Sequence, residues 1–473
     1  LNKKHVPSEQ EKIMTIPKEI IVQIGVGEHI PHTLARAYVD KFPGIREMRF
    51  VDISQERLEA VDATCRALNA ETGRRIKITT ATDPMAVLED ATMVVFAFAI
   101  DWPQTTMDDY ARAARHGIPM AEGETIGIGG GLQAMRHLKV AMPVMDRMAS
   151  VCPEAWCVVS TNPVRHLTDY ATRYAKLRKC MGLCHGAEAC IRYLEKAGGI
   201  PFGTLDFLVA GANHFIWYLK LWSRETGEDY YPKFMEILAK QNLDGEMSRR
   251  VAQLFGLYPG NGATHIPDAF GFFAEEIWKK YDIKKCLTGK HYDPFLDFTR
   301  KDVTAEQIKA RMEAGTALEG NKRWVGHMRK IRDGKTNAKE LLTHLTEAAD
   351  EHAGRIIKTF FKSDTLYYNQ ALIIPNQGAV PNLPCDAVVE VPGVSNRTGA
   401  YPVVVGPLPD APAELVRRQL VIGKLHVDAA ATGSRRALDQ AILLDPTVRN
   451  IDSAMAFLDD TFAEAGSLYP KLA

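Results

Sequence analysis

Within the first 200 residues, short apolar runs alternate with segments of helical spacing, and few folds accommodate that order. Ile20 to Val26 is rich in Ile and Val, is closed by Gly25 and Gly27, and precedes a helical stretch from Thr33 to Lys41. A second β-like run, Glu47 to Ile53, carries Asp52 near its end. Gln55 to Glu71 then has helical spacing, before a strand candidate at Arg75 to Thr79. Met93 to Ala99 and Trp156 to Ser160 continue the series. Strands separated by helices pair in parallel, because each connection must cross over the sheet. The expectation is a doubly wound α/β domain with its ligand at the carboxyl ends of the strands.

After Ile200 the pattern changes. Helical segments at Tyr231 to Leu243, Ala305 to Ala314 and Ala338 to Phe361 dominate, interrupted by a strand-like, proline-rich stretch from Ala371 to Pro409. The chain therefore divides into residues 1–200, a Rossmann-type domain, and residues 201–473, a mixed α+β, helix-rich domain. No repeat, low-complexity tract or long linker separates them, so the two parts should pack together. At 473 residues, 46% hydrophobic and 25% charged, the chain is long and apolar enough for two domains and unlike a disordered one.

Charge and cysteine content narrow the partners. Lys plus Arg equals Asp plus Glu, 58 against 58, so no net field draws nucleic acid or an anionic membrane, and a small molecule is the expected partner. The longest apolar run, Ala91 to Ile100, is short for a bilayer, and Leu1 to Lys12 has no signal-peptide core; the reading is cytoplasmic. Eight cysteines show no framework spacing, so thiols are free and one can bind metal.

Five local patterns carry chemistry. Gly25-Val26-Gly27 after the first strand, with Asp52 25 residues beyond Gly27, fits a dinucleotide: glycines admit a pyrophosphate at a helix N-terminus, and the carboxylate accepts from a ribose. Asp52 would repel a 2′-phosphate, which favours NAD over NADP. An ordinary tight turn is the alternative, since Ile30 stands where the fingerprint has a third glycine and Glu28 adds negative charge. Glu122 to Gly131 is rich in glycine and leads into a helix; it either brings backbone and Glu124 to a ligand or is a surface loop. Thr161-Asn162-Pro163 follows a strand, where the Asn162 amide suits a sugar diol or simply makes a turn. Gly182-Leu183-Cys184-His185-Gly186 and Asn213-His214-Phe215-Ile216-Trp217 together supply a thiolate and an imidazole for a catalytic metal, though each is also compatible with an ordinary core residue.

These motifs, in this order, resemble glycoside hydrolase family 4. The likeness continues in Asn376-Gln377-Gly378-Ala379-Val380-Pro381-Asn382-Leu383-Pro384 and Val388-Val389-Glu390-Val391-Pro392, and spans about residues 18 to 465. The resemblance implies an NAD-dependent glycosidase that works by transient oxidation at sugar C3, metal-assisted C2 deprotonation, elimination and water addition. It departs from the two-carboxylate route to glycoside cleavage. Implied cofactors are NAD and a divalent metal, typically manganese. The second domain becomes the catalytic and oligomerisation domain of a homo-dimer or homo-tetramer.

Carried onto this sequence, the resemblance makes Cys184 and His214 the metal ligands and Asn162 the holder of sugar hydroxyls. Gly25, Gly27, Asp52, Glu124 and Asn162 form the cofactor side. His185 is a candidate acid, and Tyr258, His265 and Asp268 are candidates for the C2 base. No arginine stands in Ala97 to Pro103, where phospho-sugar members would have one, and Cys184-His185-Gly186 looks closer to members acting on non-phosphorylated α-glycosides, α-uronides included. A carboxylate substrate needs a cation, for which Arg136, Arg165, His166 and Arg397 are candidates by motif proximity, a solvated helix face being the alternative for each arginine. Two other functions fit the nucleotide half alone: a hydroxy-acid or sugar dehydrogenase, and an NAD-binding protein without catalysis.

Overall fold

The computed structural model describes residues 18–101, 104–120, 123–241, 245–260, 265–281, 323–349, 352–362 and 365–473. Its first strand, β1 (Glu19–Ile24), is buried along its whole length. That is why it reads as an unbroken apolar run rather than an alternating one: Ile21 faces one apolar cluster, while Val22 and Ile24 face another across the sheet. β2 (Ile45–Val51) and β3 (Lys77–Ala81) extend the sheet to one side of β1. β4 (Met93–Phe96), β5 (Trp156–Val159) and β6 (Cys180–Gly182) extend it to the other. All are parallel, in the order β3-β2-β1-β4-β5-β6 of a dinucleotide-binding sheet.

The sheet continues past residue 200. β7 (Leu205–Ala212) and β8 (Phe215–Ser223) form a hairpin, and β9 (Tyr258–Pro259) adds to β8. β10 (Tyr367–Pro375), β11 (Val388–Asn396) and β12 (Gly399–Pro402) form an antiparallel set. β10 pairs with β6 at Ile373 and Gly182, and β11 pairs with β7 at Glu390 and Gly211. Twelve strands thus share one mixed sheet.

Element limits differ from the sequence expectation by a few residues, for local reasons. The first helix runs Ile30–Tyr38 rather than from Thr33, because Pro31 in its opening turn needs no amide partner there. The segment Ala338 to Phe361 holds two helices, Ala338–Ala349 and His352–Thr359. The proline-rich stretch holds β10 to β12, after which the helix Asp410–Thr432 begins beyond Pro409. The helix expected at 305–314 lies outside the described residues. No helix among those described is long and apolar enough to cross a membrane.

One glycine is essential to the first β–α turn. Gly25 has φ +95°, and a Cβ there would sit 2.2 Å from the Ala97 carbonyl oxygen at the end of β4. Both the conformation and the space exclude a side chain. Gly25→Ala is expected to destabilise the protein by about 2 kcal/mol or more. Chemical denaturation followed by circular dichroism checks it, and an unchanged midpoint would contradict this packing.

Candidate active site

The nucleotide turn lies at the carboxyl ends of β1 and β2. Asp52 Oδ2 accepts from the Val26 amide at 2.8 Å and Oδ1 from the Ser54 amide at 2.8 Å, so one carboxylate ties the glycine turn to the end of β2. Nothing would meet a Cβ on Gly27, which leaves backbone open for a phosphate to approach. Ile30, at the position of the missing third glycine, is fully buried in the core. Glu28 accepts from the Trp324 and Val325 amides at 3.1 and 3.4 Å, in the first turn of the helix Arg323–Arg332. The charge that looked adverse to phosphates is therefore engaged by backbone donors and a helix N-terminus.

Further along the same edge, Glu124, His214 and His265 bring three donor atoms within 4.8 Å of one another. The His214 and His265 ring centroids are 4.3 Å apart, and His214 Nδ1 is 4.0 Å from Glu124 Oε2. Cys184 Sγ lies 3.5 Å from His214 Nε2. His214 occupies the two-residue connection between β7 and β8 with φ +63°, a conformation that costs a non-glycine residue on the order of 1 kcal/mol. Strain of this kind persists where the surroundings impose it, and here it places an imidazole beside a thiol.

Electrostatics suit a cation. Burial, then His265 and His185, hold His214 well below the ordinary imidazole pKa, so it is the neutral ligating form. Burial, then Glu390, pushes the Cys184 thiol up to about 12, opposed by hydrogen bonds from the Gly186 amide and the Asn213 side chain. Asn213 Nδ2 also donates to Glu390 Oε2 at 2.8 Å. Two imidazoles and a carboxylate, with the Cys184 thiol beside them for a bound cation to deprotonate, fit a divalent transition metal.

Asn162 adjoins this group. Its Nδ2 donates to Glu124 Oε1 at 2.9 Å, while its buried Oδ1 has no partner. The Asn162 carbonyl accepts from Gln133 Nε2 at 3.3 Å and from His137 Nδ1 at 2.5 Å. His137 Nε2 accepts in turn from the Ile100 amide, so the ring is neutral with its proton on Nδ1. The amide is held from its backbone and from one side, leaving an acceptor for a ligand hydroxyl.

The other expected site residues have these surroundings. Tyr258 is wholly buried against Tyr218 and Phe234, and its hydroxyl accepts from the Cys190 thiol; it is a core residue. Asp268 accepts from the Gly123 amide at 2.9 Å and abuts Gly127, so it fixes the glycine-rich loop. His265 lies beside Glu124 and His214, with donor atoms close enough to share an ion. Arg136 is buried, paired with Asp109 at 2.8 Å and bonded to the Tyr469 hydroxyl at 2.7 Å. Arg397 pairs with Glu19 at the amino end of β1, the edge opposite the nucleotide turn. His185 is exposed at the start of the helix Gly186–Gly198, beside His214. Arg165 and His166 are buried under the helix Asp410–Thr432.

Sequence reading gave Glu390 and Asn213 no role. Glu390 is the acidic residue in Val388-Val389-Glu390-Val391, and a carboxylate inside an apolar strand is a signal of burial with a partner. Burial raises it to about 7, offset in part by Asn213. A raised folded pKa means the stability tied to the neutral acid is present below the ordinary value of 4.5 and is lost as pH rises through 7. In metal-free protein, Glu390→Gln should therefore gain on the order of 3 kcal/mol relative to wild type between pH 4.5 and pH 8. Denaturant unfolding at the two pH values measures this; a difference independent of pH would refute the buried, neutral acid.

Comparison with known proteins agrees with the arrangement. The family model described as family 4 glycosyl hydrolase matches residues 20–200, and that for the family 4 glycosyl hydrolase C-terminal domain matches residues 209–448. The α-galactosidase of Bacillus subtilis is 27% identical over 432 residues, covering 90% of this chain and 92% of that protein. A maltose-6′-phosphate glucosidase of Fusobacterium mortiferum is 26% identical over 92% of this chain and 94% of its own. Among solved structures, a 6-phospho-α-glucosidase from gut microorganisms, in complex with NAD and Mn²⁺, superposes with a TM-score of 0.72 at 18% identity. It covers 96% of this chain and 100% of its own. With both models matched along most of its length, this chain belongs to glycosyl hydrolase family 4, a family of glycoside-cleaving enzymes.

Proposed function

We propose that this enzyme is an NAD- and divalent-metal-dependent glycosidase acting on a non-phosphorylated α-glycoside, with manganese as the ion. The observation that carries the reading is the juxtaposition of Cys184, His214, Glu124 and His265 with Asn162, on the sheet edge that also holds the Gly25–Gly27 turn. NAD in the relatives' structural neighbour, and manganese with it, support the same cofactor pair here. The absence of Arg or Lys from Ala97 to Pro103, together with the likeness to an α-galactosidase, supports a sugar without a 6-phosphate.

When bound, the dinucleotide supplies a hydride acceptor and the metal a Lewis acid for the neighbouring sugar oxygens, chemistry that two carboxylates alone do not offer. Cys184, His214, His265 and Glu124 would hold the ion, and Gly27 and Asp52 would face the dinucleotide. Asn162 Oδ1 would accept a hydrogen bond from a sugar hydroxyl while Glu124 keeps the amide oriented, a hydrogen bond made before substrate arrives. Asp268 holds the glycine-rich loop that carries Glu124, so the orientation of Glu124 depends on it. His185, exposed beside His214, would deliver a proton to the departing oxygen.

The test is p-nitrophenol release from a panel of α- and β-glycosides, uronides and 6-phospho-sugars, with NAD⁺, Mn²⁺ and reductant present or omitted. Cleavage of a non-phosphorylated α-glycoside that requires both cofactors, without accumulating NADH, is the expected result. Steady NADH production from a free sugar or hydroxy acid, with no cleavage, would replace this reading with a dehydrogenase. His265→Asn should also weaken Mn²⁺ binding, measured by electron paramagnetic resonance, by about tenfold or more.

A further inference from the structure

A second set of buried polar groups lies where the helix Asp410–Thr432 crosses the helices Gly127–Val151 and Val164–Arg173. Arg165 and His166 occupy the first turn after Asn162-Pro163. Gln419, Gly423 and His426 share one face of the long helix by their spacing. Two glycines make room. A Cβ at Gly423 would lie 2.1 Å from Arg165 Nη1, and one at Gly131 would lie 2.2 Å from the His426 ring. The His166 and His426 ring centroids are 5.8 Å apart. All four polar side chains are at least 96% buried, with 4% exposure for Arg165, 2% for His166, and 1% each for His426 and Gln419.

Hydrogen-bond donors go unmatched here. Arg165 Nε, His166 Nδ1, both ring nitrogens of His426 and Gln419 Nε2 have no partner. Since both nitrogens of His426 are bare, an unpaired N–H remains whichever tautomer the ring adopts. No carboxylate among the described residues forms a close ion pair with Arg165; Asp169, one turn on, gives both oxygens to Arg173 at 2.7 Å and offsets the burial of Arg165 only through its charge. Burial lowers Arg165 only to about 10, so it stays cationic at neutral pH, while burial and Arg165 keep His166 and His426 neutral. An unpaired guanidinium surrounded by unmatched donors is costly unless an anion completes it.

We propose that this helix crossing is an oxyanion-binding site, in which Arg165, His426 and Gln419 together bind a carboxylate or phosphate group. The guanidinium offers a planar fork to two oxygens, and the ring and amide N–H groups satisfy the remaining lone pairs. Because Arg165 follows Asn162 by three residues, the anion comes from one of two sources: a substituent carried by the bound glycoside, or a free inorganic anion behind the site. The inference concerns binding, and only the first of these sources rests on the glycosidase reading.

The experiment is thermal unfolding with NAD⁺ present throughout, ionic strength held constant, and inorganic phosphate, D-galacturonate or neutral D-galactose added to wild type and to Arg165→Met. Wild type should gain on the order of 2 °C with an oxyanion and nothing with galactose. Arg165→Met should lose that gain and, freed of an uncompensated charge, melt above wild type when no oxyanion is present. A response to galacturonate that phosphate competes away identifies the sugar-borne source, whereas a response to phosphate alone identifies a free anion; both support the site. Should Arg165→Met not fold, His426→Leu tests the same point by a reduced gain. No gain in wild type, or equal gains in wild type and variant, would overturn the proposal.

Discussion

The single pairing of β6 with β10 is the constraint on which the active site depends. Cys184 follows β6, the last parallel strand, and His214 sits in the hairpin between β7 and β8. Among the described residues, neither strand of that hairpin pairs with β6. The hairpin arrives beside Cys184 only because β10 joins β6, β11 joins β10, and β7 joins β11. A shift of one residue in any of these registers would turn every side chain to the opposite face. The thiol and the imidazole would then face different layers of the protein, and a metal-binding group assembled from two halves of the chain would not exist.

That dependence explains why polar groups are buried along this seam at some cost. Glu390 on β11 stands opposite Gly211 on β7 and accepts from Asn213, whose amide also holds Cys184. A carboxylate in an apolar strand would be expelled if it did not have that donor. Its presence therefore makes correct pairing of β11 with β7 more favourable than slipped alternatives, which would leave the acid without Asn213. The strained His214 backbone is maintained by the same hairpin. Burial, strain and hydrogen bonding converge on the position of two side chains, which is the preorganisation a metal-assisted reaction needs.

Much of the parallel half was readable from sequence because β1, β4, β5 and β6 are buried on both faces, and runs such as Met93–Phe96 and Trp156–Val159 signal this directly. The antiparallel half was not, since β10 to β12 were visible only as a proline-rich, strand-like region and the strands that join them to the rest of the sheet, β6 and β7, lie more than a hundred residues away in sequence. Proximity to a motif misled in the same way. Arg397 lies close in sequence to the Asn376–Pro392 signature, yet β11 runs antiparallel to β10 and carries it toward the amino end of β1. Tyr258 and Asp268 lie near one another in sequence, but one faces the aromatic core and the other faces a loop amide. Sequence position within a motif does not specify direction, and direction separates a catalytic group from a packing one.

Glu124 shows how one residue can connect the two functions of this edge. Its loop is fixed from below by Asp268 through the Gly123 amide, one of its carboxylate oxygens accepts from Asn162, and the other faces His214. Asn162 in turn is anchored through its carbonyl to His137 and Gln133 on the helix Gly127–Val151, which begins just beyond Glu124 itself. The loop, the helix it opens and the turn after β5 therefore form a closed circuit of hydrogen bonds. In such a circuit, a change in any one member alters the orientation of the others. Placing the Asn162 amide and the Glu124 carboxylate in one circuit couples the orientation of one to that of the other, and that coupling follows from the path of the backbone rather than from any single side chain.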